Sequence, residues 1–287
     1  MADITAIVLT KNEEKNLPDC LKSLEGFAAR VVVVDSGSTD ATCDIARAGG
    51  AEVLAHPFEN YARQFNWALD HAGIATKWTL RLDADERLTP ALCRELEALM
   101  AAHDADDVNG IVLEAWLYFM GRRLAHARNM KRKLMVFKTG VGRIEDRNMD
   151  EHTLLSRGRS VDAREKFLHY DYKDMSHYIS KLNWYAGREV RDYFDYVEGR
   201  SREVALDSLN QSTRNKKFGF YYRMPMFFRC WLMFVYSYVF RGGFLDGKEG
   251  FLYHYMYHRF YRTLVDAKIY EHNKRGTPYE ELGALKE

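Results

Sequence analysis

Val31-Val32-Val33-Val34-Asp35-Ser36-Gly37-Ser38-Thr39-Asp40 joins four consecutive valines to a short polar loop. A β-branched run with no polar alternation fits a strand buried on both faces, the pattern of a parallel sheet. Thr39 or Asp40 can cap a helix over 41–48, and Gly49-Gly50 stops it. The alternation repeats on both sides. Residues 4–10 read as a first strand and 17–28 as a helix with Pro18 in its first turn. Residues 52–55 read as a third strand, 61–72 as a third helix and 78–82 as a fourth strand. Thr89-Pro90 then opens a helix with Leu92, Leu96, Leu99 and Met100 at helical spacing. This order predicts an α/β fold, a Rossmann-like, mostly parallel sheet covered by helices. Ligands of such sheets bind beyond the carboxyl ends of the strands. Three polar clusters fall at such ends, at 10–13, 35–40 and 83–85, which points to one shared site.

The middle of the chain is less regular. Residues 110–119 and 134–138 read as strands, 141–155 as a polar loop or short elements, and 174–197 as one long amphipathic helix. Neither an internal repeat nor a low-complexity linker interrupts the 287 residues. Hydrophobic content of 47% and charged content of 29% exclude a disordered chain, collagen and a multi-span membrane protein. A net charge of +1 argues against a generic nucleic-acid binder. Cys20, Cys43, Cys93 and Cys230 form no CxxC pair, so they read as thiols of a reducing compartment. The first ten residues lack a secretory signal, which places the expectation in the cytoplasm. The dinucleotide fingerprint, the phosphate loop and the GxSxG elbow are all missing.

Asp83-Ala84-Asp85 is the sharpest chemical feature. Two carboxylates one residue apart at a strand end project to the same side and repel unless a cation or donor intervenes. Mn²⁺ or Mg²⁺ bridging them to a diphosphate is one solution; two solvated carboxylates before a helix is the plainer one. Its position after an apolar strand favours the cation. Asp35-Ser36-Gly37-Ser38 has a similar double reading. It is a capped strand-to-helix turn, or a nucleoside site in which Asp35 accepts from a base or ribose and Gly37 lets the backbone approach.

At these residues the chain resembles the family 2 glycosyltransferases, which have a GT-A fold. Leu9-Thr10-Lys11-Asn12-Glu13-Glu14-Lys15-Asn16-Leu17 is similar to their T-x-N-E-E-x-N start, and residues 32–42 to their VVDSGSTDGT segment. Residues 61–68 resemble the helix that follows, and Leu82-Asp83-Ala84-Asp85-Glu86 matches their LDADE motif. Further on, the chain is similar to the subgroup of lipopolysaccharide-core and exopolysaccharide glycosyltransferases. Met149-Asp150-Glu151 stands where V-H-E is frequent, residues 168–183 resemble an L-x-H…Y-x-x-K-x-N stretch, and residues 244–251 a GFLDGxxGF turn.

The resemblance implies an inverting, metal-dependent transfer of a sugar from a nucleotide-diphosphate donor, by family habit a UDP-sugar. The acceptor would be a lipid-linked or oligosaccharide glycan of the bacterial surface. Thr10, Asn12, Glu13, Asp35, Ser36, Gly37 and Arg63 would hold the nucleotide. Asp83 and Asp85 would hold metal and diphosphate, Asp85 the more directly, and Glu151 would be the general base. His169 would complete the metal shell, or is a hydrogen-bonded structural histidine. Residues 1–105 would form the nucleotide-sugar half, 106–200 the acceptor half, and 201–287 a helical extension. A sugar-nucleotidyltransferase and a non-catalytic nucleotide-sugar or lipid scaffold are the alternatives. The glycine-free first loop counts against the former and the intact Asp83/Asp85 pair against the latter.

Residues 218–261 hold 18 of the 39 aromatic residues. Residues 214–262 carry nine Lys and Arg against Asp246 and Glu249. A membrane span needs roughly 20 apolar residues, and 230–240 supplies only 11. Helices packed on protein, in this chain or in a homo-oligomer, compete with an interfacial amphipathic hairpin bent at Gly242-Gly243. The second is preferred, because a transferase of surface glycans meets its acceptor at the inner membrane face. Such binding would be peripheral and salt-sensitive.

Overall fold

In the computed structural model, β1 (Ala2–Thr10) and β2 (Ala28–Asp35) run parallel, with Thr10 opposite Asp35. The structure describes residues 1–126, 132–146, 152–199 and 219–276. These divide into two compact units, 1–123 with 132–146 and 152–173, and 124–126 with 174–199 and 219–276.

In the first unit β3 (Glu52–Ala55) and β4 (Trp78–Asp83) extend the parallel array on either side. The valine run has no polar alternation because both sheet faces are covered. Val33 enters a core with Ile4, Val8 and Leu80, packed with Leu17 and Leu21 of α1 (Leu17–Leu24) and Leu92 and Leu96 of α4 (Pro90–Ala102). Val32 and Val34 enter the opposite core with Ile7 and with Phe65 of α3 (Tyr61–His71). Asp40 accepts from the Thr42 N–H at 3.0 Å and starts α2 (Thr42–Ala48). Helix α1 stops four residues before the expected end. Gly26 takes a φ of 71°, and Phe27 accepts from Ala2 N–H at 2.7 Å, which turns the chain into β2.

Beyond β4 the sheet becomes mixed. β8 (Arg132–Lys138) lies antiparallel between β4 and β6 (Val108–Phe119). β11 (Arg159–Tyr170) runs parallel to β6, and β5 (Glu86–Arg87) pairs antiparallel with β11. β7 (Arg122–Arg123) turns back on β6. The stretch read as a polar loop contains a two-stranded piece, β9 (Gly142–Ile144) with β10 (Thr153–Leu155). β11 was not expected. Only Ala163 and Phe167 of its twelve residues are buried, so its sequence carries almost no apolar signal.

The second unit is helical: α5 (Met175–Val197), α6 (Phe228–Val235) continued by π-helical turns to Phe240, α7 (Gly247–His254), further π-helical turns, and α8 (Arg262–Arg275). Leu182, Ala186, Val190 and Phe194 of α5 pack with Val265 and Ile269 of α8. Of the basic residues expected to face lipid, Arg214, Lys216 and Lys217 lie outside the described residues, and two of the other six, Arg229 and Arg262, are instead turned to internal carboxylates. Arg229, 1% exposed, donates through Nε to both oxygens of Asp266, at 3.0 and 3.1 Å. Arg262 pairs with Glu189 at 2.6 Å, and Glu189 also accepts from the hydroxyls of Tyr222 and Tyr261. Among the described residues no helix is long and apolar enough to cross a membrane.

The glycines of the 243–250 turn serve a close approach. A Cβ on Gly250 would lie 2.6 Å from the Gly243 carbonyl oxygen, a backbone atom that cannot rotate away. Gly250→Ala is therefore expected to cost about 1–3 kcal/mol of stability, read as a lower urea midpoint at unchanged slope.

Below this turn His254 is fully buried, with Ser237 Oγ at 3.1 Å from its Nδ1 and also 3.1 Å from His258 Nε2. Burial lowers the His254 pKa to about 4, and the His258 pKa falls in the same direction. A lowered folded-state pKa means that the unfolded chain binds the extra proton first. The contribution of His254 is complete above its unfolded value near 6.5 and is lost as the pH falls toward 4. Denaturant melts followed by helical signal should show that loss, and His254→Gln should flatten it.

Candidate active site

The loops after β1 and β2 build one another. Asp35 Oδ1 accepts from the N–H groups of Gly37 and Ser38 at 2.9 and 2.8 Å. Its Oδ2 accepts from Thr10 Oγ1 at 2.9 Å and Ser38 Oγ at 2.5 Å. Burial pushes the Asp35 carboxyl upward, but these hydrogen bonds outweigh it and hold the pKa below the ordinary value. Gly37 adopts a φ of 81°, and Lys11 Nζ donates to the carbonyls of Ser36 and Gly37. Ser36 Oγ accepts from Gln64 at 3.1 Å. Asn12, at a φ of 54°, ties the loops together: its N–H donates to Ser38 Oγ at 2.8 Å and its Oδ1 accepts from Thr39 N–H at 2.9 Å. A non-glycine residue in that region is strained and persists only where its partners fix it.

Glu13 accepts from Lys173 at 2.6 Å and from Asn16 at 2.9 Å. Burial nevertheless raises its pKa. Asn16 also donates to Asp171 at 2.9 Å and accepts from Tyr172 N–H at 2.8 Å, so the end of β11 is stapled to the first loop. Arg63 lies outside this cluster, on the surface, paired with Glu59 at 2.5 Å and Asp146 at 3.3 Å.

The Asp83-Ala84-Asp85 carboxylates have different partners. Asp83 accepts from the Tyr61 hydroxyl at 2.8 Å and pairs with Lys133 at 3.5 Å. Burial raises its pKa, but Lys133 and Arg81 prevail and the net shift is downward. Lys133 also reaches Glu86, which is 1% exposed, at 3.3 Å. Asp85 instead faces His169, whose Nε2 is 3.5 Å from Oδ2. The pairing of β5 with β11 sets His169 opposite Glu86, and Tyr170 N–H donates to the Asp85 carbonyl at 2.8 Å. The strand that the sequence concealed thus delivers the imidazole to the carboxylate.

No three His, Cys, Asp or Glu side chains converge on one cation position among the described residues. The Asp85–His169 pair nevertheless fits a divalent ion that completes its shell with phosphate oxygens: a hard carboxylate oxygen and an imidazole nitrogen face each other, both side chains mostly buried. Asp83 has the Tyr61 hydroxyl at 2.8 Å and the Lys133 ammonium at 3.5 Å. Glu151, the expected base, lies outside the described residues, as does Asp150. On either side of them Glu145 N–H donates to the His152 carbonyl at 2.8 Å. Sequence reading missed Lys133 and Tyr61. A lysine before the apolar run Leu134-Met135-Val136-Phe137 was the one available signal.

The sheet has nine strands, and the Asp83-Ala84-Asp85 pair stands where β4 ends. The family model described as "Glycosyl transferase family 2" matches residues 5–158, and the chain belongs to that family. It has the GT-A fold, and its class is glycosyltransferase, which sets aside the nucleotidyltransferase and scaffold readings. The chain is 31% identical over 191 residues to the lipopolysaccharide core biosynthesis glycosyltransferase LpsC of Rhizobium meliloti, covering 64% of this chain and 68% of that one. It is 26% identical over 207 residues to the glycosyltransferase RT0209 of Rickettsia typhi, covering 67% and 68%. A likeness to glucosyl-3-phosphoglycerate synthase of Mycobacterium tuberculosis has 21% identity and a TM-score of 0.32; it covers 40% of this chain and under half, 44%, of that one.

Proposed function

We propose that the chain transfers a sugar, with inversion, from a nucleotide-diphosphate donor to a lipid-linked or oligosaccharide acceptor of the bacterial surface. The observation that carries this reading is the Asp85–His169 pair beside the Asp35 loop. LpsC, whose name places it in lipopolysaccharide core synthesis, supports the acceptor class.

In this reading the Thr10–Asp35–Ser38 and Asn12–Thr39 hydrogen bonds keep the loops shaped for the nucleoside before it arrives, so little ordering remains on binding. Asp85 and His169 would hold Mn²⁺ or Mg²⁺, which when bound stabilises the charge on the leaving diphosphate. Asp83, fixed by Tyr61 and Lys133, positions the neighbouring backbone. Glu151 takes the proton as the acceptor hydroxyl oxygen bonds to the anomeric carbon and the carbon–oxygen bond to the diphosphate breaks. A single displacement inverts that centre. The membrane's inner face is the place where such an acceptor is met.

A panel of nucleotide sugars, UDP-sugars first, tests this with and without Mn²⁺ or Mg²⁺. Cation-dependent release of one nucleoside diphosphate is the expected result and names the donor. A chain that binds no nucleotide sugar under either condition overturns it.

A further inference from the structure

Helix α6 is inside out compared with an ordinary surface helix. Its inward side carries Arg229 and Cys230, and the turns that continue it bury Ser237. Its outward side carries Phe228 and Trp231, and the turns that continue it carry Val239 and Phe240, the last 76% exposed. The next turn adds Phe244 and Leu245, 50% and 54% exposed. Some of the rings form groups: Phe228 stacks on Trp231 at 6.2 Å, and a second group joins Phe234, Tyr238, Phe244 and Phe251. Tyr238 meets Phe244 at 6.4 Å and Phe251 at 5.6 Å, and Phe234 meets Phe251 at 6.2 Å. Single exposed apolar side chains are ordinary, whereas a contiguous patch marks an interaction surface. A helix with polar groups inward and rings outward matches an apolar medium outside it.

The charges around the patch select the occupant. Arg223 and Lys248 are exposed and Arg241 is partly so. Asp246 and Glu249 are the only acids between 219 and 260, and Asp246 is 2% exposed, accepting from the N–H groups of Ala125 and His126 at 3.1 Å. Within residues 219–260 the exposed charge is therefore mainly cationic. A second copy seated on the same patch would set these cations against their own counterparts, whereas anionic headgroups complement them. Tryptophan, tyrosine and arginine are also the side chains suited to the headgroup boundary.

We propose that this face docks in the plane of an anionic lipid bilayer, with the rings at the acyl boundary and the cations on headgroups. Because Arg229 and Arg262 are held by internal carboxylates, few cations contribute. The rings carry most of the binding, and part of it survives high salt, unlike binding by a basic segment. The inference concerns this face alone and does not rest on the donor-site reading.

Sedimentation of the full chain with phosphatidylcholine vesicles, with and without phosphatidylglycerol and at low and high salt, is the test. Binding should be stronger with phosphatidylglycerol and fall only in part as salt rises. Trp231→Ser combined with Phe240→Ser should reduce the partition by about tenfold or more, a loss of about 1.4 kcal/mol or greater. Both side chains are exposed, and an unchanged circular dichroism spectrum and melting midpoint would confirm the fold. Three results overturn the proposal: no binding of wild type to either vesicle, equal binding of variant and wild type, or a wild-type dimer that the double variant dissociates without any vesicle binding.

Discussion

Asp85→Asn should lower sugar transfer by about a thousandfold, the usual scale for losing one preorganised group at a developing charge. Asp83→Asn should cost far less, about 10- to 100-fold, as for a group that orients its neighbours. The two side chains are one residue apart, so the contrast comes from their partners. Asp83 is occupied by Tyr61 at 2.8 Å and Lys133 at 3.5 Å, whereas Asp85 faces the His169 ring. Mn²⁺ titration followed by electron paramagnetic resonance supplies a readout besides turnover. Asp85→Asn and His169→Ala should weaken Mn²⁺ binding, and Asp83→Asn should leave it close to wild type. Equal losses in Asp83→Asn and Asp85→Asn, in rate and in Mn²⁺ binding alike, would refute the division of roles.

Asp266→Ala should destabilise the helical unit by about 3–5 kcal/mol, because it strands a buried guanidinium. Arg229 and Asp266 are both almost wholly buried, and Asp266 also accepts from Phe227 N–H at 2.7 Å. Phe227 has a φ of 63°, a conformation that a phenylalanine holds only when its neighbours fix it. The double variant Arg229→Met/Asp266→Leu removes both charges and should recover much of the loss. Urea unfolding of the wild type and these two variants measures this. A double variant no more stable than Asp266→Ala would show that the unpaired charge is not the cause.

The parallel half of the sheet was legible because burial on both faces leaves an unmistakable mark, Val31 to Val34 above all. The polar loops were legible too, because a strand end followed by capping residues has a local signature. β11 was not, since Arg159–Tyr170 reads as polar and is held mainly by backbone pairing with β6. His169 could therefore be named by resemblance but not placed. The Lys133 contacts with Asp83 and Glu86 join residues about fifty apart and leave no periodic trace. The basic residues at 229 and 262 were misjudged for a related reason. A charge in an aromatic-rich segment reads as solvated unless its partner is known, and Asp266 and Glu189 lie 37 and 73 residues away.

The pairing of β5 with β11 sets an order of events during synthesis. Asp85 leaves the ribosome 84 residues before His169, and the intervening strands must be laid down before β11 can close on Glu86. Contacts of such sequence separation form late. A nascent chain can thus fold its Asp35 loop while the Asp85–His169 pair is still half made. Unfinished chains therefore carry the Asp85 carboxylate without its imidazole, which joins it only when β11 completes the sheet.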